Sequence, residues 1–249
     1  MLIPALVLSS LAPFLAQAPP VADAAALVRR YDAVMAPLGY EAKVTMTAWR
    51  EDGSSRTYAM TVQKSGDDKV RVSFSAPKSA VGQEMLRQGE NLWVYMPSLK
   101  RAVRLASRES FMGGDFNNAD VLRVHWQTDY NATVSTASSP GAPEATVELE
   151  LKAKVPDASW DTIRLWMTNE SASSSMPVKA EFYAASGKLL RTLEFKDVKA
   201  FGKDPSSARP SRLLMQNALV PTRKSEMSWQ SIDAGAIADK RFTLDDLGR

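Results

Sequence analysis

From Val44 onward the apolar residues of this 249-residue chain recur at every second position, and the habit persists almost to the end. It is strictest in Val147, Leu149, Leu151, Ala153 and Val155, which alternate with Glu148, Glu150, Lys152 and Lys154. Successive side chains of a strand point to opposite faces, so this pattern places one face in a core and the other toward water, as antiparallel sheets do. The same alternation runs through Val44-Met46-Ala48, Tyr58-Met60-Val62 and Val70-Val72-Phe74, with Gly53 and Gly66 at the intervening turns. It continues through Ile163-Leu165-Met167, Val178-Ala180-Phe182, residues 189–195, Leu213-Met215-Asn217-Leu219 and a last run through Met227 and Trp229. With strands at 92–96 and 102–105, separated by the Pro97-Ser98 turn, the count reaches about eleven.

One segment before the strands has a different period. Leu27, Tyr31, Val34 and Leu38 form one amphipathic stripe behind Asp23, a residue suited to capping a helix, and Pro37 and Gly39 end it. Arg29, Arg30 and Asp32 lie off that stripe, where an arginine can bond sheet carbonyls. A short helix is expected at 118–123, and loops at 136–143 and 203–210, neither long enough for a domain linker. The economical architecture is mainly β with some α: one strongly curved antiparallel sheet, an unclosed half-barrel, with helices covering its concave apolar face. A sheet bent around helices without full side-chain filling leaves an apolar cavity.

Residues 1–18 read as an export signal, since 2–15 are mostly apolar and Ala16-Gln17-Ala18 is an A-x-A cleavage pattern before Pro19-Pro20. No Lys or Arg precedes the apolar run. A single domain over 19–249 is expected, roughly 230 residues long. No later stretch is long and apolar enough to span a bilayer.

Composition removes several kinds of chemistry. There is no cysteine, which excludes disulfides, thiolate nucleophiles and zinc–thiolate sites. The 31 basic and 28 acidic residues give a net charge of only +3, too mild to argue for nucleic acid. His125 is the only histidine and has no metal-ligand spacing around it. Gly113-Gly114-Asp115 lacks the lysine and Ser/Thr of a phosphate loop, and no G-x-S-x-G is present. Asp67-Asp68 and Asp245-Asp246 sit in turn or terminal contexts and read as solvated carboxylates. The expectation is a protein without catalysis, metal or cofactor.

The segment Leu92-Trp93-Val94-Tyr95-Met96-Pro97-Ser98-Leu99-Lys100-Arg101 carries large apolar groups on both faces of one strand, so it is buried twice or lines a cavity. Second-face aromatics recur at Trp49, Trp93, Tyr95, Trp166 and Tyr183, and can stiffen the outer surface, cover an edge or line a pocket. Together with Phe74-Ser75-Ala76-Pro77, the stretch from Gly82 to Leu86, and Ser110-Phe111-Met112-Gly113-Gly114-Asp115-Phe116-Asn117-Asn118-Ala119-Asp120, it resembles the LolA-like outer-membrane lipoprotein-sorting proteins, more narrowly the branch found beside membrane exporters. The continuation Val121-Leu122-Arg123-Val124-His125-Trp126 departs from that family's acidic and aromatic run.

The resemblance implies a monomeric periplasmic carrier that takes acyl chains of lipoproteins or lipids from an inner-membrane exporter and passes them to an outer-membrane acceptor. Each methylene withdrawn from water gains about 0.8 kcal/mol, so such chains need an escort. Eleven methionines suit an adaptable lining, and equally suit gap-filling in an ordinary core. Trp93, Tyr95, Met96, Phe111, Met112 and Phe116 are the candidate cavity and flap residues, with Gly113-Gly114 as the hinge. Leu27, Tyr31 and Val34 are the candidate lid-helix residues, and Lys100, Arg101 and Arg104 the candidate basic contacts to lipid phosphate or an acidic partner. The alternative is an exporter-associated adaptor or envelope-stress sensor that uses the same fold for protein contacts.

Overall fold

The computed structural model describes residues 23–136, 139–202 and 207–249. The expected export signal lies outside the described residues, as do parts of the 136–143 and 203–210 loops.

Helix α1 (Ala24–Met35) starts where Asp23 accepts the Ala25 amide at 3.0 Å. It buries Leu27, Val28, Tyr31, Val34 and Met35. The helix stops a turn earlier than its apolar stripe predicts, because Pro37 disfavours helical geometry in the residue before it. Leu38 is consequently 63% exposed instead of extending the stripe.

Six strands follow as a meander: β1 (Gly39–Trp49), β2 (Ser55–Ser65), β3 (Lys69–Ala76), β4 (Glu84–Gln88), β5 (Asn91–Met96) and β6 (Arg101–Leu105). A connector, residues 106–129, holds a 3-10 turn at Phe111–Gly113, α2 (Asn118–Leu122) and α3 (Trp126–Asp129). A second meander comprises β7 (Tyr130–Val134), β8 (Thr146–Ala153), β9 (Thr162–Thr168), β10 (Pro177–Tyr183), β11 (Leu189–Lys199), β12 (Arg209–Asn217) and β13 (Lys224–Ala234). The two meanders join where β1 pairs antiparallel with β13, giving one thirteen-stranded sheet in the order 6-5-4-3-2-1-13-12-11-10-9-8-7. Strands β6 and β7 are its free edges, so the sheet is not closed.

The expected count of about eleven strands is therefore corrected to thirteen. The strands not anticipated are β4 and β7. In β4, Glu84, Met85, Leu86 and Arg87 are all buried, so both faces are covered and charged residues occupy buried positions. That removes the polar–apolar alternation on which recognition depends. Strand β7 is a five-residue edge, too short for a clear period.

One face of the sheet feeds the main apolar core, which gathers Ala42, Val44, Met46, Val62, Val72, Leu149, Ile163, Leu165, Met215 and Met227 together with the α1 residues. Helix α1 packs against α3, β7 and β12. A smaller cluster on the opposite face of β4 and β5 joins Leu86, Trp93, Tyr95 and Ala102 to Ile237, Phe242 and Leu247 of the carboxy-terminal segment.

Candidate functional site

An apolar cavity lies among α1, the connector and the core face of the sheet. It is bordered by Val62, Val70, Leu193, Leu213, Met215 and Met227, by the rings of Tyr31, Tyr40, Phe116, Trp126, Phe182 and Trp229, and by Lys64, Arg87 and Asp120. These belong in part to β4, β3, β2, β1, β13, β12, β11 and β10, eight strands adjacent in the sheet. At about 4.8 Å between neighbours, a flat array of that width would spread its outer members roughly 34 Å apart. One cavity touching all eight requires the sheet to bend around it. The cavity volume is about 50 Å³, room for a few waters. The walls are in near contact.

Two polar ends bound this apolar interior, and β12 shows their separation: Arg209 begins it and Asn217 ends it, with both side chains buried. At the Asn217 end sits Asp115 of the connector, 2% exposed. Its amide donates to Ser225 Oγ at 2.9 Å, and its carboxylate accepts from Asn217 Nδ2 at 3.2 Å and lies 3.4 Å from Arg191 Nε and 3.6 Å from Arg223. Gly114 lies so close to the sheet that a Cβ there would meet Ser225 Oγ at 2.9 Å. The Phe111 amide donates to Phe116 O at 2.8 Å, and Phe111 is fully buried with its ring 6.0 Å from Phe74. Residues 111–116 are thus pinned to the sheet in this conformation.

The Arg209 end is built from cations. Tyr40 of β1 faces Lys64 of β2, which pairs with Val70 of β3, which pairs with Arg87 of β4, so one cross-strand row carries both charges. Lys64 Nζ donates to Ala36 O at 2.7 Å, and Arg209 Nη2 donates to Met35 O at 2.9 Å; both cap the carboxy-terminal carbonyls of α1. Arg87 donates to Gly89 O at 2.9 Å and to Asp67 O at 2.7 Å. Among the described residues Nε and Nη1 of Arg209 have no acceptor, and its guanidinium lies 5.3 Å from the centre of the Trp229 ring. Burial pushes the Lys64 ammonium down to about 8, opposed by Asp67 and Asp32. Burial also holds Arg87 and Arg209 below the usual guanidinium range.

Asp120 of α2 belongs to the opposite side of the lining. It accepts from the Asn117 amide at 2.8 Å and the Trp160 indole at 2.9 Å. Burial pushes its carboxyl up to about 6 despite those bonds. Trp126 stacks on Tyr31 at 4.0 Å and meets Tyr130 and Phe182 edge-on, which joins α1, α3 and the second meander in one aromatic group.

The sequence-derived candidates divide sharply. Phe116 and Tyr31 border the cavity, while Phe111, Leu27 and Val34 are buried in the same core, and Met96 and Met112 pack at its margin. Trp93 and Tyr95 do neither: they face away, beneath the carboxy-terminal segment, while Leu92 and Val94 on the other parity face the core. The remaining second-face aromatics are covered by cations, Trp49 by Lys224 at 5.1 Å, Trp166 by Lys179 at 4.9 Å and Tyr183 by Arg164 at 5.2 Å. Lys100, Arg101 and Arg104 are exposed on the β5–β6 hairpin, away from the cavity, with Arg104 bonded to Asn91. Arg30 bonds Ser175 O at 3.1 Å, and His125 lies 3.2 Å from Asp67. Asp246, expected to be solvated, instead binds Arg71. Among the described residues no group of His, Asp and Glu could hold a metal, and no helix is long and apolar enough to cross a membrane.

Lys64, Arg87, Arg209 and Asp115 were missed. A signal for Lys64 existed, because it continues the inward parity of Tyr58, Met60 and Val62. A lysine at the end of a buried row invites explanation.

An unclosed antiparallel sheet wrapped around an apolar cavity, with helices at its margin, defines a half-barrel. A family model described only as an uncharacterized protein matches residues 66–249. No curated protein matches the chain. A LolA superfamily protein of Nitrosomonas europaea is 26% identical, with a TM-score of 0.78, over 90% of this chain and 99% of that one. An outer-membrane lipoprotein-sorting protein domain of Vibrio parahaemolyticus is 20% identical, TM-score 0.74, over 91% and 98%. A DUF1329 family protein of Desulfovibrio piger is 16% identical, TM-score 0.77, over 90% and 97%. The chain belongs to the LolA-like family.

Proposed function

We propose that this protein is a periplasmic carrier that shelters the acyl chains of lipoproteins or lipids between an inner-membrane donor, such as an exporter, and an outer-membrane acceptor. The observation that carries this reading is the apolar cavity bordered by eight adjacent strands and flanked by α1 and the connector. Its lining of aliphatic, methionine and aromatic side chains offers contact without a nucleophile–base pair or a metal cluster among the described residues. The lipoprotein-sorting name of the Vibrio relative agrees with it.

The narrow interior is the closed form of the carrier. An acyl ligand calls for a site of roughly 300 Å³ or more, so loading requires the walls to separate. Helix α1 is the element to move: its carboxy-terminal end is held by the Lys64 and Arg209 bonds to Ala36 O and Met35 O. The connector, fixed through Asp115, is the floor. Methionines Met35, Met215 and Met227 can then repack around a chain.

Native mass spectrometry of protein purified from the cell envelope, followed by organic extraction, tests this. Acyl-bearing cargo is expected at near one per chain, and Val62→Phe, which enlarges a side chain into the cavity, is expected to displace it from a folded protein. A protein that is always empty and instead retains a membrane or signalling partner overturns the carrier in favour of an adaptor.

A further inference from the structure

The charged end of the cavity is not what acyl chains alone require. A chain needs apolar walls, whereas Lys64, Arg87 and Arg209 place three buried cations on the core face of β2, β4 and β12. Among the described residues no carboxylate lies within ion-pairing distance of any of them; their acceptors are backbone carbonyls. Glu90 and Asp129, which act on Arg87 together with Asp68, are both paired with Arg123, and the carboxylates around Lys64 are engaged as well. Asp32 accepts the Trp126 and Gln127 amides at 3.0 and 2.9 Å, and Asp67 lies 3.2 Å from His125. Asp120 is bound to Asn117 and Trp160, and it is not among the chief charges acting on Lys64, which are Asp67, Arg87, Asp32 and Arg209.

Capping of α1 accounts for one donor each of Lys64 and Arg209. It leaves Nε and Nη1 of Arg209 buried with no acceptor among the described residues, and it does not involve Arg87. Uncompensated buried cations are costly and call for an anion. This end also approaches solvent: a surface groove formed by Asp32, Ala36, Pro37, Leu38, Asp67 and His125 shares Ala36 and Val124 with the cavity. An amphiphile entering tail-first would leave its head beside Lys64.

We propose that Lys64, Arg87 and Arg209 form a receptor for the anionic head group, carboxylate or phosphate, of an amphiphile whose acyl chain occupies the cavity. This rests on the carrier reading and narrows its cargo. The acyl groups of a lipoprotein are uncharged amides and esters and would leave the cations unsatisfied, whereas a fatty acid or an acidic lipid completes them. Lys64 and Arg87 stand two strands apart in one row, roughly 10 Å between backbones, a span that two long side chains close around one head group. Guanidinium and ammonium groups bound to such oxygens form charge-assisted hydrogen bonds stronger than those to a carbonyl.

The test compares laurate, dodecyl phosphate and dodecanol, three heads on one chain length, by isothermal titration calorimetry on the delipidated protein at pH 7. At least one anion is expected to bind about tenfold more tightly than the alcohol. Whichever anion is preferred identifies the source as free acid or phosphate lipid. The ratio should fall toward one in Lys64→Met and survive in Lys64→Arg. In the unmodified protein it should decline between pH 7 and 9.5 as Lys64 loses its proton, a readout that needs no variant. Equal affinity for all three ligands, or a preference unchanged in both Lys64→Met and Arg87→Met, overturns the head-group receptor while the carrier stands. Failure of every chain to bind removes the carrier reading itself.

Discussion

Arg71 and Lys64 are both buried, sit on adjacent strands and belong to opposite faces of the sheet, yet their surroundings differ in kind. Nη2 of Arg71 donates to both oxygens of Glu84 at 2.8 and 2.7 Å; Nη1 donates to Arg241 O at 2.8 Å and to the Asp246 carboxylate. Glu84 also accepts from Ser73 Oγ at 2.9 Å and the Gly248 amide at 2.8 Å. Only Nε of Arg71 is without a partner. The carboxy-terminal segment is thereby strapped over Leu86, Trp93 and Tyr95, with Gly248 so close that a Cβ there would clash with the Tyr95 ring. Among the described residues the hydrogen-bond acceptors of Lys64, Arg87 and Arg209 are carbonyls only. Removing one member of a buried pair strands the other's charge, whereas removing a buried cation whose acceptors are carbonyls strands no charge.

The contrast can be broken most severely at Arg71. Arg71→Met leaves Glu84 buried and unpaired, an expected loss of about 3–5 kcal/mol by chemical denaturation, with residues 237–249 newly open to proteolysis. Unchanged stability would show that the strap contributes nothing. Asp120 supplies the next effect. Its folded carboxyl is raised to about 6 from 3.8, so the folded state binds the proton more tightly and that group's favourable contribution, complete below about pH 4, is lost as pH rises through 6. The change amounts to about 2–3 kcal/mol between pH 4 and 7; it should be absent in Asp120→Asn and so appear in full in the difference between the two proteins.

A smaller change is expected at the other polar end of the cavity. Asp115→Asn weakens the bonds to Asn217 and Arg191 and should cost about 1–3 kcal/mol, with faster amide exchange confined to residues 110–117. Exchange that accelerates throughout the sheet would show that the connector is not a local anchor. The smallest effect, and the sharpest contrast with Arg71, belongs to Lys64→Met. Losing the bond to Ala36 O is offset by removing a desolvated charge, so stability at pH 7 should move by no more than about 1 kcal/mol. In the wild type the lowered ammonium means the unfolded chain binds more protons between pH 8 and 10.5, so stability should rise across that window, and Lys64→Met should flatten it. A large loss at Lys64 would make it a structural residue like Arg71 and erase the distinction.

Much of the architecture was legible because the alternation is a local property. Val44-Met46-Ala48 and Leu149-Leu151 face the core as their parity requires, and Asp23 caps α1. Strand β4 was illegible for the opposite reason, since Glu84 is buried against Arg71 and the Gly248 amide and Arg87 against Asp67 O, partners that lie outside any local window. The candidate site fared unevenly. Phe116 and Tyr31 reach the cavity, whereas Trp93 and Tyr95, on the family-like strand, lie behind it.

By itself the sequence determined that the chain makes antiparallel strands, which residues share a face along each, and where the first helix begins, because periods, caps and turns act over a few residues. Parity separates each strand into two sets without saying which set meets the cavity. Long-range pairing settles that, through the β1–β13 seam that joins the two meanders and through the carboxy-terminal segment that covers one side of β4 and β5. The same long-range closure sets Lys64 and Arg87 on the cavity wall and Arg209 beside it, against Met35 and Trp229, with no ion-paired carboxylate among the described residues.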